Sequence, residues 1–302
     1  MNTDRIKNIM LILLSALVVV LVLFVIADER QYILTENRIS NAVRILEQNN
    51  IHVNERVQIP QSFRPMQHLS LYRYNHNILE IAARFFENED FETEFEGNNI
   101  IFINRRSQNA MGYFVRDGVI SFEMRDGFFV GIQEEDFAMT ASAAEITSRA
   151  FIEEILGYPA SNMTLVSNSL TPDGHYMLTF FDSYAGYLLY DSRIRIRVAE
   201  RGVVSVFYSQ ATHNSFTGYT HPIFAADEAL LALLNLFQFE GVHGSIELLD
   251  MQLVYIIDPR KNQLRAVPAY LFTLTALEDN LRFNVVLNAF TNTPIIYTEN
   301  IS

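Results

Sequence analysis

Three groups of side chains have the types and spacing to do chemistry. The acids Glu87, Glu89, Asp90, Glu92, Glu94 and Glu96 could offer oxygen ligands to calcium. They lack the glycine and the Asp/Asn spacing that wrap a loop around the ion, so a solvated edge is expected instead. Arg193, Arg195 and Arg197 alternate with Ile194, Ile196 and Val198, which puts three guanidiniums on one face of a strand and three aliphatic side chains on the other. Such a ladder could grip carboxylates bidentately, and the expected state is a wet sheet face paired with acids of neighbouring strands. The seven histidines are scattered. One closely spaced pair, His68 and His76, falls on opposite sides of a predicted turn with no acidic ligand between them. The chain contains no Gly-x-Gly-x-x-Gly, P-loop, Gly-x-Ser-x-Gly, His-Glu-x-x-His or EF-hand loop. The expectation is a protein that is not an enzyme, with no catalytic, cofactor-binding or metal residues.

Composition points the same way. A net charge of −13 opposes binding to nucleic acid, anionic lipid or polyanionic wall polymer and favours protein partners. With no cysteine there is neither a disulfide framework nor thiol chemistry, so the fold must rest on its core. The 23 Phe and 14 Tyr supply apolar area for that core, and the length suits two domains.

Near the N-terminus, Ile9 to Ala27 holds no charge and, apart from Ser15, nothing polar. At ~1.5 Å per helical residue that stretch covers the ~30 Å hydrocarbon core of a bilayer. Arg5 and Lys7 precede it and Asp28, Glu29 and Arg30 follow it, a positive-inside bias that places the N-terminus in the cytoplasm and the rest outside. The run exceeds a signal-peptide core, so an uncleaved single-pass anchor in the cell membrane is expected. Ile12, Ser15, Val19, Val22 and Ile26 recur at 3–4 spacing with small or β-branched side chains, a face able to pack closely on a partner helix, whereas Leu13, Leu17 and Leu21 lie elsewhere.

Behind the span, Ile39, Ala42/Val43 and Leu46 predict a helical stalk that Asn49-Asn50 ends in a left-handed cap. A strand at 68–74, a helix at 78–86 and a meander of strands at 99–104, 111–116 and 119–125 follow, with Asp117-Gly118 as a hairpin turn. The acidic segment Gly131 to Thr140 reads as a boundary. Ser142-Ala143-Ala144-Glu145 has capping-box spacing, and Gly157 and Pro159 stop the helix it opens. Strands are predicted at 175–181, 193–199 and 203–209, with turns at Asp173-Gly174 and Arg201-Gly202. A second helix at 226–237 then precedes strands at 246–257, 268–277 and 281–288. On the last, Leu281, Phe283, Val285 and Leu287 alternate with polar residues, predicting one buried and one wet face. The fold class is therefore α+β: a cytoplasmic tail (1–8), a transmembrane helix (9–27), a helical stalk with a first α+β domain (28–135), and a second α+β domain (136–302) with two helix-plus-meander repeats.

Several short motifs carry a resemblance. Ile45-Leu46-Glu47-Gln48-Asn49-Asn50-Ile51 runs into Val57-Gln58-Ile59-Pro60; Phe181-Asp182-Ser183-Tyr184-Ala185-Gly186-Tyr187-Leu188-Leu189-Tyr190 follows; then come Val267-Pro268-Ala269-Tyr270 and Val286-Leu287-Asn288-Ala289. With the basic N-terminus and single span, these resemble the YycI/YycH family, most closely YycI, membrane-anchored regulators of the cell-wall sensor histidine kinase YycG (WalK). The chain departs from the family's repeats at Asn292-Thr293, where Thr-Gly is usual, and at Tyr270, where Trp is frequent.

The resemblance implies strand-turn-strand elements at the last two motifs, a Pro-x-aromatic strand followed by an Asn-Ala turn. It also implies a non-catalytic regulator of a two-component system with two partners, the sensor histidine kinase and a YycH-like membrane protein, and no cofactor. A reading of a different class is an extracytoplasmic PepSY-like module that binds a ligand or inhibits a protease, which calls for a concave apolar groove. A cell-wall hydrolase would need convergent carboxylates in a cleft.

Overall fold

Helix and strand come in blocks along the chain. The computed structural model describes residues 3–73, 77–87, 90–114, 119–128, 139–209, 211–241, 244–257, 265–279 and 281–300. The chain opens with α1 (Thr3–Gln31), α2 (Glu36–Glu47), β1 (Ile51–Val53) and β2 (Met66–Arg73). Three blocks follow, each a helix and then four strands in sequence. They are α3 (Ile78–Phe85) with β3 (Glu92–Glu96), β4 (Asn99–Asn104), β5 (Asn109–Phe114) and β6 (Val119–Phe128); then α4 (Ala141–Glu154) with β7 (Met163–Leu170), β8 (Tyr176–Tyr184), β9 (Tyr187–Ala199) and β10 (Gly202–Ser209). After β11 (Ala211–His221) comes α5 (Ala226–Glu240) with β12 (Ile246–Ile257), β13 (Arg265–Ala276), β14 (Leu281–Asn288) and β15 (Pro294–Asn300). The fold is α+β with predominantly antiparallel strands, as expected.

The chain divides into two compact units, both discontinuous in sequence. Residues 1–67, 219–253 and 268–302 form the first, and residues 68–218 and 254–267 the second. This differs from a division at 135/136. Residues 131–138 lie outside those described, as do the Asp117-Gly118 turn and His76, and the second unit extends on both sides of them.

In the second unit, β3-β4-β5-β6 and β7-β8-β9-β10 are antiparallel meanders joined through an antiparallel β6–β10 pair. One face carries the core: Ile81, Ala82 and Phe85 from α3 and Ala144, Phe151 and Ile152 from α4 meet Phe102, Met111, Phe122, Phe180, Ile194 and Ile196. Phe122 stands edge-on to both Phe85 and Phe151, at 4.7 and 5.6 Å between centroids, the arrangement ring quadrupoles prefer. On α3 Leu79 is exposed, whereas Ile81, Ala82 and Phe85 are buried. The cap of α4 also differs from expectation. Thr140, not Ser142, is the N-cap, its hydroxyl accepting from Ala143 N at 3.2 Å, while Ser142 lies inside the helix.

In the first unit, α2 and α5 run side by side in the same direction. Arg38 meets Asp227 in their first turns, and Gln238 donates to Asn49 just beyond the end of α2. Each helix is followed by a left-handed residue, Asn50 (φ 61°) or Gly241 (φ 65°), and each leads to a strand, with Ile51 of β1 opposite Ile246 of β12 in parallel register. The segment expected to be a stalk is therefore part of a packed unit, with Leu34, Ala42 and Leu46 buried. Beside it, β13–β14 and β14–β15 are antiparallel. The expected alternation on β14 fails. From Phe283 to Asn288 every residue is buried, Asn284 and Asn288 included, and Leu281 is exposed. The buried amides stay satisfied, since Asn284 Oδ1 accepts from Thr273 Oγ1 and Asn288 Oδ1 from Phe290 N.

The backbone of α1 is helical through all of Ile9–Ala27. Among the described residues, however, no helix is long and apolar enough to cross a membrane, so the expected span does not find support in the structure.

Candidate functional site

The arginine ladder lies where its spacing predicts, on β9 in the second unit. Ile194, Ile196 and Val198 are fully buried in the core, which pins the strand and turns Arg193, Arg195 and Arg197 to the opposite, half-exposed face. Across the pairing register they stand between Phe181, Thr179 and Met177 of β8 and Ser209, Phe207 and Ser205 of β10. Arg193 sits over the rings of Tyr190 and Phe207, 5.0 and 5.9 Å from their centroids, and Arg195 sits 5.9 Å over Phe207. The guanidiniums are held in part by aromatic faces.

At the far end of the ladder, the turn between β7 and β8 brings Thr171, Asp173, His175 and Arg197 together. Gly174 (φ 82°) closes this turn as the Asp173-Gly174 pair predicts. The Thr171 hydroxyl donates to Asp173 Oδ1. His175 Nδ1 lies 3.1 Å from Asp173 Oδ2 without aligned hydrogen-bond geometry, and Arg197 Nη1 is 3.9 Å away. The Asp173 carboxyl is held below its ordinary range, first by the Thr171 hydroxyl and then by its backbone, His175 and Arg197. The hydroxyl meets the carboxylate rather than the imidazole, so the trio is not wired as nucleophile and base. It fastens a hairpin. Sequence reading missed this cluster, although the signal was present: an Asp-Gly turn brings the side chains flanking it onto neighbouring strand ends.

The described part of the acidic run forms an edge, as expected, and Glu89 lies outside the described residues. Glu92, Glu94 and Glu96 are exposed along β3, paired on one side to β4, and charge of this kind blunts edge-to-edge pairing. Arg105 neutralises part of it, with Nε 2.7 Å from Glu92 and Nη2 3.4 Å from Glu94. Beside them a cleft of about 440 Å³ is lined by residues including Asp90, Phe91, Glu92, Arg105 and Arg106. It carries mixed charge and is not a Phe/Tyr-lined groove. Among the described residues no three His, Asp or Glu side chains are grouped to hold a metal ion.

On α1, Ser15, Val19 and Val22 are exposed, and the side chains of Ile12 and Ile26 lie outside the described residues. Leu13 and Leu17 are exposed to the same degree, so burial does not single out the small-residue face. The last two motifs behind the family resemblance do form strand-turn elements, in β13 and at the end of β14, whereas Ile45–Glu47 of the first belongs to α2. Ala185 (φ 52°) and Gly186 (φ 85°) make the tight hairpin joining β8 to β9, and Pro268–Tyr270 lies in β13, where the Pro268 carbonyl accepts from Ala289 N at 2.9 Å.

No family model and no curated protein matches the chain. Solved structures do. YycH from Bacillus subtilis aligns at TM-score 0.41 and 9% identity, covering 86% of this chain and 61% of that one. The C-terminal domain of Bacillus megaterium YpeB aligns at TM-score 0.41 and 12% identity, over 76% and 100% of the two chains. A protein of Eubacterium rectale ATCC 33656, described only as uncharacterized, aligns at TM-score 0.55 and 12% identity, over 82% of this chain and 90% of its own. The chain is similar to this last protein in fold, and at that identity in fold alone.

Proposed function

We propose that this chain is a membrane-anchored, non-enzymatic regulator of a two-component sensor histidine kinase, its N-terminus cytoplasmic and its two units extracytoplasmic. The observation that carries the reading is α1, a 29-residue helix whose described apolar side chains are exposed, Leu13, Val19 and Phe24 among them by more than half. In the sequence the charge-free run continues on both sides of those side chains, from Ile9 to Ala27. Such a surface needs lipid or another helix to cover it. The kinase and a YycH-like membrane protein enter as partners through the sequence resemblance, and the reading takes nothing from the weaker structural likenesses.

Within lipid, apolar side chains gain no hydrophobic driving force, so association depends on close packing worth on the order of 0.5–2 kcal/mol per contact. Ser15 and Val19 belong to the face that permits such packing. Replacing both by Phe is expected to weaken regulation in a kinase-reporter assay, and the same change at Leu13 and Leu17 to do less, at matched membrane levels. Equal loss from both pairs would mean that no particular face matters. Full regulation with an unrelated span would move the contact to the exterior units. Failure of any kinase to crosslink to the full-length chain in native membranes would remove the assignment.

A further inference from the structure

The first unit is tied to the end of α1 by a very short connection. Gln31 ends the helix, and three residues later Leu34 is buried, its N–H donating to Gln61 O at 2.8 Å. Between them Ile33 bridges Ser62, Phe63 N donates to Tyr32 O at 3.0 Å, and the rings of Tyr32 and Phe63 meet edge-on. The connection is thus a clamp, not a free linker.

Elements at the same end of the unit carry more aromatic surface. Arg38 ties the first turn of α2 to the first turn of α5, next to Phe224. Phe224 N donates to Ala289 O, next to Phe290, whose ring stacks edge-on with His221. Phe224 is 39% exposed, Ile33 49% and Tyr219 87%, while Tyr32, Phe63 and Phe290 are half-buried.

We infer that this end of the first unit rests in the headgroup layer of the bilayer, with Tyr32, Ile33, Phe63, Tyr219, Phe224 and Phe290 as its contacts. The inference rests on α1 being a membrane anchor. From Ala27 to the end of α1 is about 6 Å at the helical rise, and the three residues to Leu34 reach at most roughly 10 Å. A compact unit of this size has a radius of gyration of about 14 Å, so a tether of that length brings it against the surface. Aromatic side chains favour the water–lipid boundary, where an apolar body and a polar tip are both satisfied. The charges at this end balance, Glu36, Asp227 and Glu228 against Arg30, Arg38 and Arg64, which fits a zwitterionic surface.

The absence of tryptophan makes the test clean. The full-length chain is placed in phosphatidylcholine nanodiscs with one tryptophan at a time: Phe224→Trp, Tyr219→Trp, Val20→Trp, and Phe239→Trp. Phe239 lies near the other end of α5 and is 87% exposed. Phe224→Trp and Tyr219→Trp are expected to emit at shorter wavelength than Phe239→Trp and to lose intensity when the lipid is brominated near its glycerol. Val20→Trp is expected to lose intensity with bromine deep in the chains. Quenching at Val20 while Phe224 and Tyr219 behave like Phe239 overturns this inference and leaves the anchor standing. No quenching at Val20 overturns the anchor reading and the inference with it. Equal quenching at Phe239 overturns the claim that one end is favoured.

Discussion

Removing the guanidinium of Arg38 tests how α2 is held in the first unit. Arg38 Nε lies 2.7 Å from Asp227 Oδ2 and Nη2 lies 3.0 Å from Oδ1, a fork-on-fork pair between residues 189 apart in sequence. An exposed ion pair contributes ~0–1 kcal/mol, whereas a charged group left without its hydrogen-bond partner away from water costs ~1.5–3 kcal/mol or more. This pair lies between those limits, with side-chain exposures of 47% for Arg38 and 11% for Asp227. Asp227 also sits in the first turn of α5, where the helix dipole returns ~0.3–1 kcal/mol to a lone carboxylate. Arg38→Met, which keeps the apolar stem, is therefore expected to cost about 1–2 kcal/mol, a factor of roughly 5–30 in the local equilibrium. Hydrogen exchange of α2 peptides, followed by mass spectrometry on the full chain, should speed up by that factor. Arg105→Met, which breaks a pair 66% and 58% exposed, is expected to change exchange in the strands flanking its turn by less than about fivefold. Should Arg38→Met leave α2 exchange unchanged, or no faster than Arg105→Met leaves β4, the pair is not what fastens α2 to α5.

Phe151→Ala empties a fully buried site against Phe122 and is expected to cost about 3–5 kcal/mol, read as a lower denaturant midpoint of the second unit. Asp173 has a depressed folded-state pKa, so its contribution is present above the ordinary carboxylate range and lost as pH falls through the folded value. Protection of the Gly174 amide, which donates to Thr171 O, taken relative to its intrinsic exchange at each pH, should fall in acid below pH ~4, and Asp173→Asn should remove that dependence. Tyr255 and Tyr270 are raised by burial first, Tyr255 further by Tyr187 and Tyr270 by Glu228 and Asp227. Their contribution is complete below pH ~10 and lost as pH rises beyond it, so alkaline spectrophotometric titration should show them ionising after the exposed tyrosines, with Tyr270→Phe removing one late proton.

The proposed regulatory face and the structure meet unevenly. Among the described residues Ser15, Val19 and Val22 stand on α1 as exposed as Leu13 and Leu17, so burial does not rank the proposed face above the other. The ladder of Arg193, Arg195 and Arg197 was legible because strand periodicity alone decides which side chains share a face, and Ile194, Ile196 and Val198 fixed which face that was. Its terminal cluster was legible only in part: the Asp173-Gly174 turn signals that Thr171, Asp173 and His175 meet, but the approach of Arg197 crosses to a third strand. Arg38–Asp227 left no trace in the local sequence at all.

What the sequence determined by itself is local and periodic. The helices α2, α3, α4 and α5, the strands β4, β12 and β14, the left-handed Asn50 and Gly174, and the repeated block of helix and meander all follow from spacing, caps and turn chemistry acting within a few residues. Only the tertiary structure decided that α2 leaves its neighbours in sequence to lie beside α5, that β6 pairs with β10 to join two meanders, and that Asn284 and Asn288 are buried on a strand whose pattern reads as half wet. Pattern reports how polar a face is, but burial depends on what covers it, and the covering elements here come from residues tens to hundreds of positions away. Side-chain hydrogen bonds to Thr273 and Phe290 let polar residues occupy the interior that hydropathy alone assigns to water.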